Sequence, residues 1–294
     1  MFKTIPLDFS VRDKLKKYFD YPNEPEMTLY ESGFLVGAIK KQKPKKILEV
    51  GVAAGGTTTI ILETLKSINE DFDMISVDLN TKFYRDKNLD TGFIAKRYII
   101  DQQITNHRFI FGKNIAESIL EIGGDIDFVI LDTAHTLPGE LLDFLVVLPF
   151  LCERAMVVLH DTTLNLNSRK HKKSFATKIL LNSVSAEKYE LQSDPERKIP
   201  NIASFLTDNE TLKDIDNVFS ALSVTWNSIF NDENYFSYKK IIAEYYDKDK
   251  SEYFKLVTEY NNSLNKNQLI TIVPRNKTFL FLTKVLYLIN EKKL

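Results

Sequence analysis

Apolar residues fall into two alternating rhythms along the first two thirds of the chain. "KKILEVGV" at 45–52 is a short apolar run rich in branched side chains, and it predicts a strand. "GGTTTIILETLKSI" at 55–68 predicts a helix opened by small residues. The same change of rhythm recurs. "DMISVDL", "RFIFG", "DFVILD" and "AMVVLHD" predict strands. "FIAKRYIIDQQI", "NIAESILEIG" and "PGELLDFLVVLPFL" predict the helices between them. Near-continuous apolar strands are buried on both faces, and strands alternating with helices form parallel sheets. Two further strands, "KYELQ" and "NIASFLT", follow a helix in "SFATKILLNSV". The expected fold is α/β, a doubly wound, mostly parallel, seven-stranded Rossmann-like sheet.

Both ends of the chain are expected to be helical. Residues 1–43 read as an N-terminal arm, with a short helix near Val11 to Phe19 and a longer one in "TLYESGFLVGAIKKQ" that stops at Lys43-Pro44. Residues 44–207 read as the sheet domain. Residues 208–294 read as a helical extension rich in aromatics, including "YFSYKKIIAEYY" and "KTFLFLTKVLYLIN". In that extension Trp226, Tyr235 and Tyr238 are read as packing residues, with an acceptor pocket as the alternative and an oligomer face as a further expectation.

Composition narrows the function class. A net charge of −1 argues against a general nucleic-acid binder. No apolar run reaches the roughly 20 residues of a membrane span. The opening residues lack the pattern of a secretory signal, and one cysteine, Cys152, cannot build a disulfide framework within the chain. A cytoplasmic protein is the expectation, with Cys152 a buried structural thiol.

Polar residues interrupt the strands in two places. The first is "LEVGVAAGGTT", where Gly51 and Gly55 let the backbone turn tightly before a helix whose N-terminus favours negative charge. The glycine spacing is not that of a nicotinamide-binding turn. The second is a pair of strand ends, "VILDTAH" and "VVLHDT", which carry Asp132, His135, His160 and Asp161. In doubly wound sheets ligands bind beyond the carboxyl ends of the strands, so these residues are expected to meet there.

The E-x-G-x-x-x-G of Glu49, Gly51 and Gly55, with Asp78 ending the second strand, resembles the S-adenosylmethionine loop of class I methyltransferases. The resemblance implies cofactor contacts from Glu49, Gly51, Ala53, Gly55, Thr57, Asp78 and Asp132. The pattern D-x-x-H…HD resembles a methyltransferase subgroup that includes macrolide sugar O-methyltransferases and cephalosporin hydroxylase-like proteins. It implies Mg2+ held by Asp132 and Asp161 and a general base at His135. His160 is read as a ligand or as a structural residue beside the ion. Related catechol-type enzymes place Asn where this chain has Thr162, so a third protein ligand is unassigned.

The expected activity is methyl transfer from S-adenosylmethionine to a hydroxyl of a small acceptor, a saccharide or sugar phosphate, with Mg2+ assisting deprotonation. Two alternatives stand beside it: a metal-independent methyltransferase of nitrogen or phosphate-type acceptors, and a non-catalytic cofactor-binding scaffold. The basic run Arg169, Lys170, His171, Lys172 and Lys173 is either a solvated loop or a clamp for an anionic sugar, with Arg169 and Lys170 as its candidate contacts. Asp143 is read as a helix-face contact, and His107 and His171 as surface residues.

Overall fold

A computed structural model describes residues 2–19, 26–68, 71–227 and 232–267. The chain runs α1 (Arg12–Leu15), α2 (Leu29–Gln42), β1 (Lys46–Val50), α3 (Gly56–Ile68), β2 (Asp73–Asp78), α4 (Phe93–Gln102), β3 (His107–Phe111), α5 (Ile115–Ile122), β4 (Ile126–Leu131), α6 (Gly139–Val147) and β5 (Leu151–His160). It continues through α7 (Leu164–Asn167), α8 (Ala176–Ser183), β6 (Glu187–Glu190), β7 (Ile202–Leu206), α9 (Asn209–Lys213), α10 (Asp216–Ala221), α11 (Asp232–Tyr245) and α12 (Lys248–Asn267). The sequence expectation of a helix in "KTFLFLTKVLYLIN" lies outside the described residues.

The seven strands form one sheet in the order β3-β2-β1-β4-β5-β7-β6. β1 to β5 run parallel to one another, whereas β7 runs antiparallel to both β5 and β6. β1 and β4 lie side by side although two strands separate them in sequence. The order reverses there, and such a switch point leaves a crevice at the strands' carboxyl ends.

Strand side chains alternate between the two faces of the sheet, and each face has its own core. Ile47, Met74, Phe128, Ile130, Met156 and Val158 join α2, α3, α4 and the N-terminal arm. Leu48, Ile75, Val129, Leu131, Val157 and Leu159 join α5, α6, α8 and the C-terminal helices. Trp226, Ile241, Ile242 and Phe254 belong to that second core, so the extension packs directly on the α5–α6 face. Trp226 is 1% exposed and its indole Nε1 donates to the Leu222 carbonyl oxygen. Tyr238 is also buried. Both are packing residues.

Local chemistry starts and stops the elements that frame the crevice. Thr28 and Glu31 form a capping box at the start of α2, each side chain accepting from the other's backbone N–H, and Lys43 in a left-handed conformation ends the helix. Two readings of single residues change with the structure. Cys152 is only half-buried, because the first residues of β5 project beyond the sheet core. His107 is not a free surface residue. Its Nε2 lies 3.0 Å from Ser76 Oγ, its ring meets Phe109 edge-on, and burial lowers its pKa to about 4.

Candidate active site

The loop between β1 and α3 turns through three left-handed residues, Gly51, Ala53 and Gly55. Gly51 is required by space as well as by conformation. A Cβ built there would stand 2.0 Å from the Asp132 carbonyl oxygen. The loop is tied down by Asp78 at the end of β2, whose Oδ2 accepts from the backbone N–H groups of Val52 and Ala53 at 2.9 and 3.0 Å. Its Oδ1 accepts from the Asn80 backbone at 2.7 Å. Asp78 is half-exposed, so its carboxylate borders the crevice while bracing the loop. Thr57 sits in the first turn of α3 and is buried.

Glu49 does not face the crevice. The alternation of β1 sends it with Ile47 toward α3, where it is fully buried. Its Oε2 accepts from Thr58 Oγ1 at 2.7 Å and Ser76 Oγ at 2.6 Å. Burial outweighs those hydrogen bonds and pushes its pKa up to about 8. Here Glu49 joins β1, β2 and α3 beneath the glycine loop.

Gly51→Ala is therefore expected to damage the site from below. The strained φ and the overlap with Asp132 together cost about 2–5 kcal/mol. Calorimetric titration with S-adenosylhomocysteine should show binding at least about 10-fold weaker, together with a lower thermal midpoint. Unchanged affinity would mean that the loop accommodates the methyl group.

Beyond β4 and β5 the polar strand ends come together. Asp132, His135 and Asp161 each offer a ligand atom, and the three atoms lie within 4.8 Å of one another. His135 Nε2 is 3.3 Å from Asp161 Oδ2 and 3.8 Å from Asp132 Oδ1. His160 Nδ1 is 3.1 Å from Asp132 Oδ1 and 3.8 Å from Asp161 Oδ2. Two imidazoles and two carboxylates thus converge on one spot. Asp161 reaches it because a left-handed backbone, φ 58°, turns the chain at the end of β5. Asn201 Nδ2 donates to its other oxygen, Oδ1.

Each histidine is backed by a glutamate with no exposed side-chain surface. Glu140, in the first turn of α6, accepts from the His135 backbone N–H at 2.7 Å and lies 3.3 Å from its Nδ1. Glu31, from the capping box of α2, lies 3.4 Å from His160 Nε2. Arg197 in turn donates to Glu31 through Nε at 3.1 Å and Nη2 at 3.3 Å. Glu31, Glu140, Arg197 and Asn201 were not singled out in the sequence.

The charges of the cluster hold one another. Burial alone would raise the Glu31 pKa, but His160 and Arg197 hold it down to about 2. Burial opposes charge on His160, yet Asp132, Asp161 and Glu31 raise its pKa well above the ordinary value. His135 is raised to about 9, because Glu140, Asp132 and Asp161 outweigh its burial. Asp132 is lowered despite its desolvation, chiefly by His160.

The wall of the site includes the extension. Thr133, next to Asp132, donates to Asp143 Oδ2 at 2.7 Å, and Tyr238 of α11 donates to Asp143 Oδ1 at 2.6 Å. Asp143 is a buried link with its pKa pushed up to about 7 by burial. On the other side, a bridge between Thr136 and Ser174 and a hydrogen bond from Ala176 N–H to the His135 carbonyl lay the segment after α7 along the His135 loop. That segment contains Arg169 and Lys170, both exposed, and His171, exposed as expected.

Residues 48–162 match a family model described as "Methyltransferase domain". No curated protein matches the chain. Similar solved structures include a putative caffeoyl-CoA O-methyltransferase from Staphylococcus aureus, 16% identical, with 66% of this chain and 91% of that chain covered and a TM-score of 0.48. An O-methyltransferase from Bacillus cereus in complex with SAH is 14% identical, with coverage of 69% and 93% and a TM-score of 0.48. An O-methyltransferase from Streptomyces achromogenes involved in tomaymycin synthesis is 16% identical, with coverage of 69% and 92% and the same TM-score, 0.48. The residues matched to that family model run from within β1, through the glycine loop, to just past Asp161, so the similarity falls on the segment that carries the candidate site.

Proposed function

We propose that the protein transfers the methyl group of S-adenosylmethionine to a hydroxyl of a small acceptor, a saccharide or sugar phosphate, with a divalent cation assisting deprotonation. The observation that carries this reading is the convergence of Asp132, His135 and Asp161 at the carboxyl ends of β4 and β5, next to the glycine loop. The donor set fits a divalent cation, because carboxylate oxygens of Asp132 and Asp161 stand close enough to share one, with His135 Nε2 beside them. The glycine loop fits the cofactor, because its tight left-handed turns open onto the N-terminus of α3 beside the half-exposed Asp78 carboxylate. The hydroxyl acceptor is the kind named for the solved structures of similar fold.

The roles follow from exposure and reach. Asp132 and Asp161 would hold the ion. When bound, such an ion makes a hydroxyl next to it more acidic. His135 is 20% exposed and its Nε2 faces the cluster, so it can meet an acceptor and take its proton. Glu140 accepts from the His135 backbone N–H and sets its carboxylate 3.3 Å from the ring's Nδ1. His160, 3% exposed, is out of reach of an acceptor. The basic segment along the His135 loop supports an acceptor with an anionic group, contacted by Arg169 and Lys170.

The test is a methyl-transfer assay with S-adenosylmethionine, a panel of neutral sugars and sugar phosphates, and either a divalent salt or a chelator. A methyl ether formed with salt and lost with chelator is the expected product. Undiminished turnover in chelator would favour the metal-independent alternative. Transfer to nitrogen alone would overturn the hydroxyl reading.

A further inference from the structure

We infer that His160 Nδ1 is the third protein donor to the ion held by Asp132 and Asp161. The site then selects a divalent transition ion of the Mn2+ and Fe2+ kind over Mg2+. The inference rests on the metal-assisted reading above and specifies its ion.

Strand alternation puts His160 and Asp132 on the same face of adjacent strands, with Met156 and Val158 preceding the one and Phe128 and Ile130 the other. His160 Nδ1 stands 3.1 Å from Asp132 Oδ1. Ligand atoms about 2.1 Å from an ion and at right angles to each other are about 3 Å apart. The spacing that serves as a hydrogen bond therefore also suits two neighbouring ligands.

The far side of the ring points the same way. A metal-bound histidine usually gives its other N–H to a carboxylate, which fixes the ring and the nitrogen it presents. Glu31 Oε2 occupies that position at 3.4 Å from Nε2, and Arg197 grips the glutamate from behind. Glu31 also accepts from the Thr28 backbone N–H at 2.7 Å, so it is anchored at the start of α2. A side chain held at both ring nitrogens and shielded from the acceptor is suited to coordination.

The nitrogen decides the ion. Mg2+ takes oxygen ligands and keeps much of its water. Imidazole suits later first-row ions, whose affinities rise along that series. Two carboxylates and one imidazole form a mixed set that Mg2+ does not favour.

Pulsed EPR on the full-length protein loaded with Mn2+ detects nitrogen bound to the ion. The expected result is a 14N coupling that changes to a 15N pattern when the protein is grown on 15N-histidine. The coupling should persist in His135→Asn and vanish in His160→Asn. Calorimetry should show Mn2+ binding at least about 10-fold tighter than Mg2+. Glu31→Gln keeps an amide acceptor for the helix cap and should weaken Mn2+ about 10- to 100-fold. Thr28→Ala removes the cap acceptor and the hydrogen bond to Asp194 while keeping the backbone donor to Glu31, and should leave Mn2+ affinity within about 3-fold. A purely structural role for Glu31 predicts the same loss from both. Mn2+ bound without nitrogen coupling, coupling that survives His160→Asn, or equal affinity for Mn2+ and Mg2+ would each overturn the inference and leave the metal-assisted reading standing. If the wild-type protein binds neither ion, both fall. If His160→Asn fails to fold, His135→Asn still decides: a coupling lost in that variant would put His135 on the ion and overturn the inference.

Discussion

Asp132→Asn should lower kcat/KM for methyl transfer about 10³-fold or more. The residue closes β4 at the sheet's switch point, and its carboxylate is shared by His160 at 3.1 Å and His135 at 3.8 Å. The amide keeps the shape and removes the charge. In the proposed metal-loaded site it withdraws an anionic donor from the ion, and in the metal-free protein it leaves the buried, charged His160 without its nearest counter-charge, which also costs stability. The measurement is steady-state kinetics at saturating cofactor, alongside calorimetry with S-adenosylhomocysteine. Activity within 10-fold of wild type would remove Asp132 from the chemistry. A loss confined to cofactor affinity would assign it to cofactor binding alone.

His135→Gln should reduce kcat about 10²- to 10⁴-fold, the usual contribution of a positioned acid–base group, while cofactor affinity changes little. Its pH behaviour sharpens the expectation. Glu140, Asp132 and Asp161 raise His135 to about 9, so in the metal-free protein it is a cation at neutral pH. A base must be neutral. A divalent ion at Asp132 and Asp161 cancels two of the charges responsible, so its binding should move the His135 midpoint down. NMR of the imidazole should place the metal-free midpoint near 9 and the metal-loaded one clearly lower. The acid limb of the pH–rate profile should follow the loaded value and disappear in His135→Gln. The sign for stability is opposite. A raised histidine pKa stabilises the metal-free fold fully below about 6.5, and that contribution is lost as pH rises through about 9. An unchanged profile in the glutamine variant would end the base assignment.

Much of this architecture was legible in the sequence, because periodicity is a local property. The strands and helices from Lys46 to His160 follow from the alternation of apolar runs, and the reversed β7 accounts for the one departure from a parallel sheet. The convergence of Asp132, His135 and Asp161 was legible too, since strand ends gather at one edge of such a sheet. Glu31 was not. It lies 129 positions from His160 in sequence, and as the third residue of a capped helix it reads as a capping residue. Glu140 is hidden in the same way, as an acidic residue in the first turn of α6. Arg197 sits in a loop with no periodicity, so nothing local marks its contact with Glu31. Glu49 shows the converse: the motif suggests a cofactor contact, whereas the pleat of β1 turns the side chain beneath α3.

The hydrogen bonds from Thr133 and Tyr238 to Asp143 make the extension a tether for the loop beyond β4. Without α11 the buried Asp143 carboxyl would keep one donor instead of two, so a helix that looks peripheral in sequence helps to anchor the residue next to Asp132.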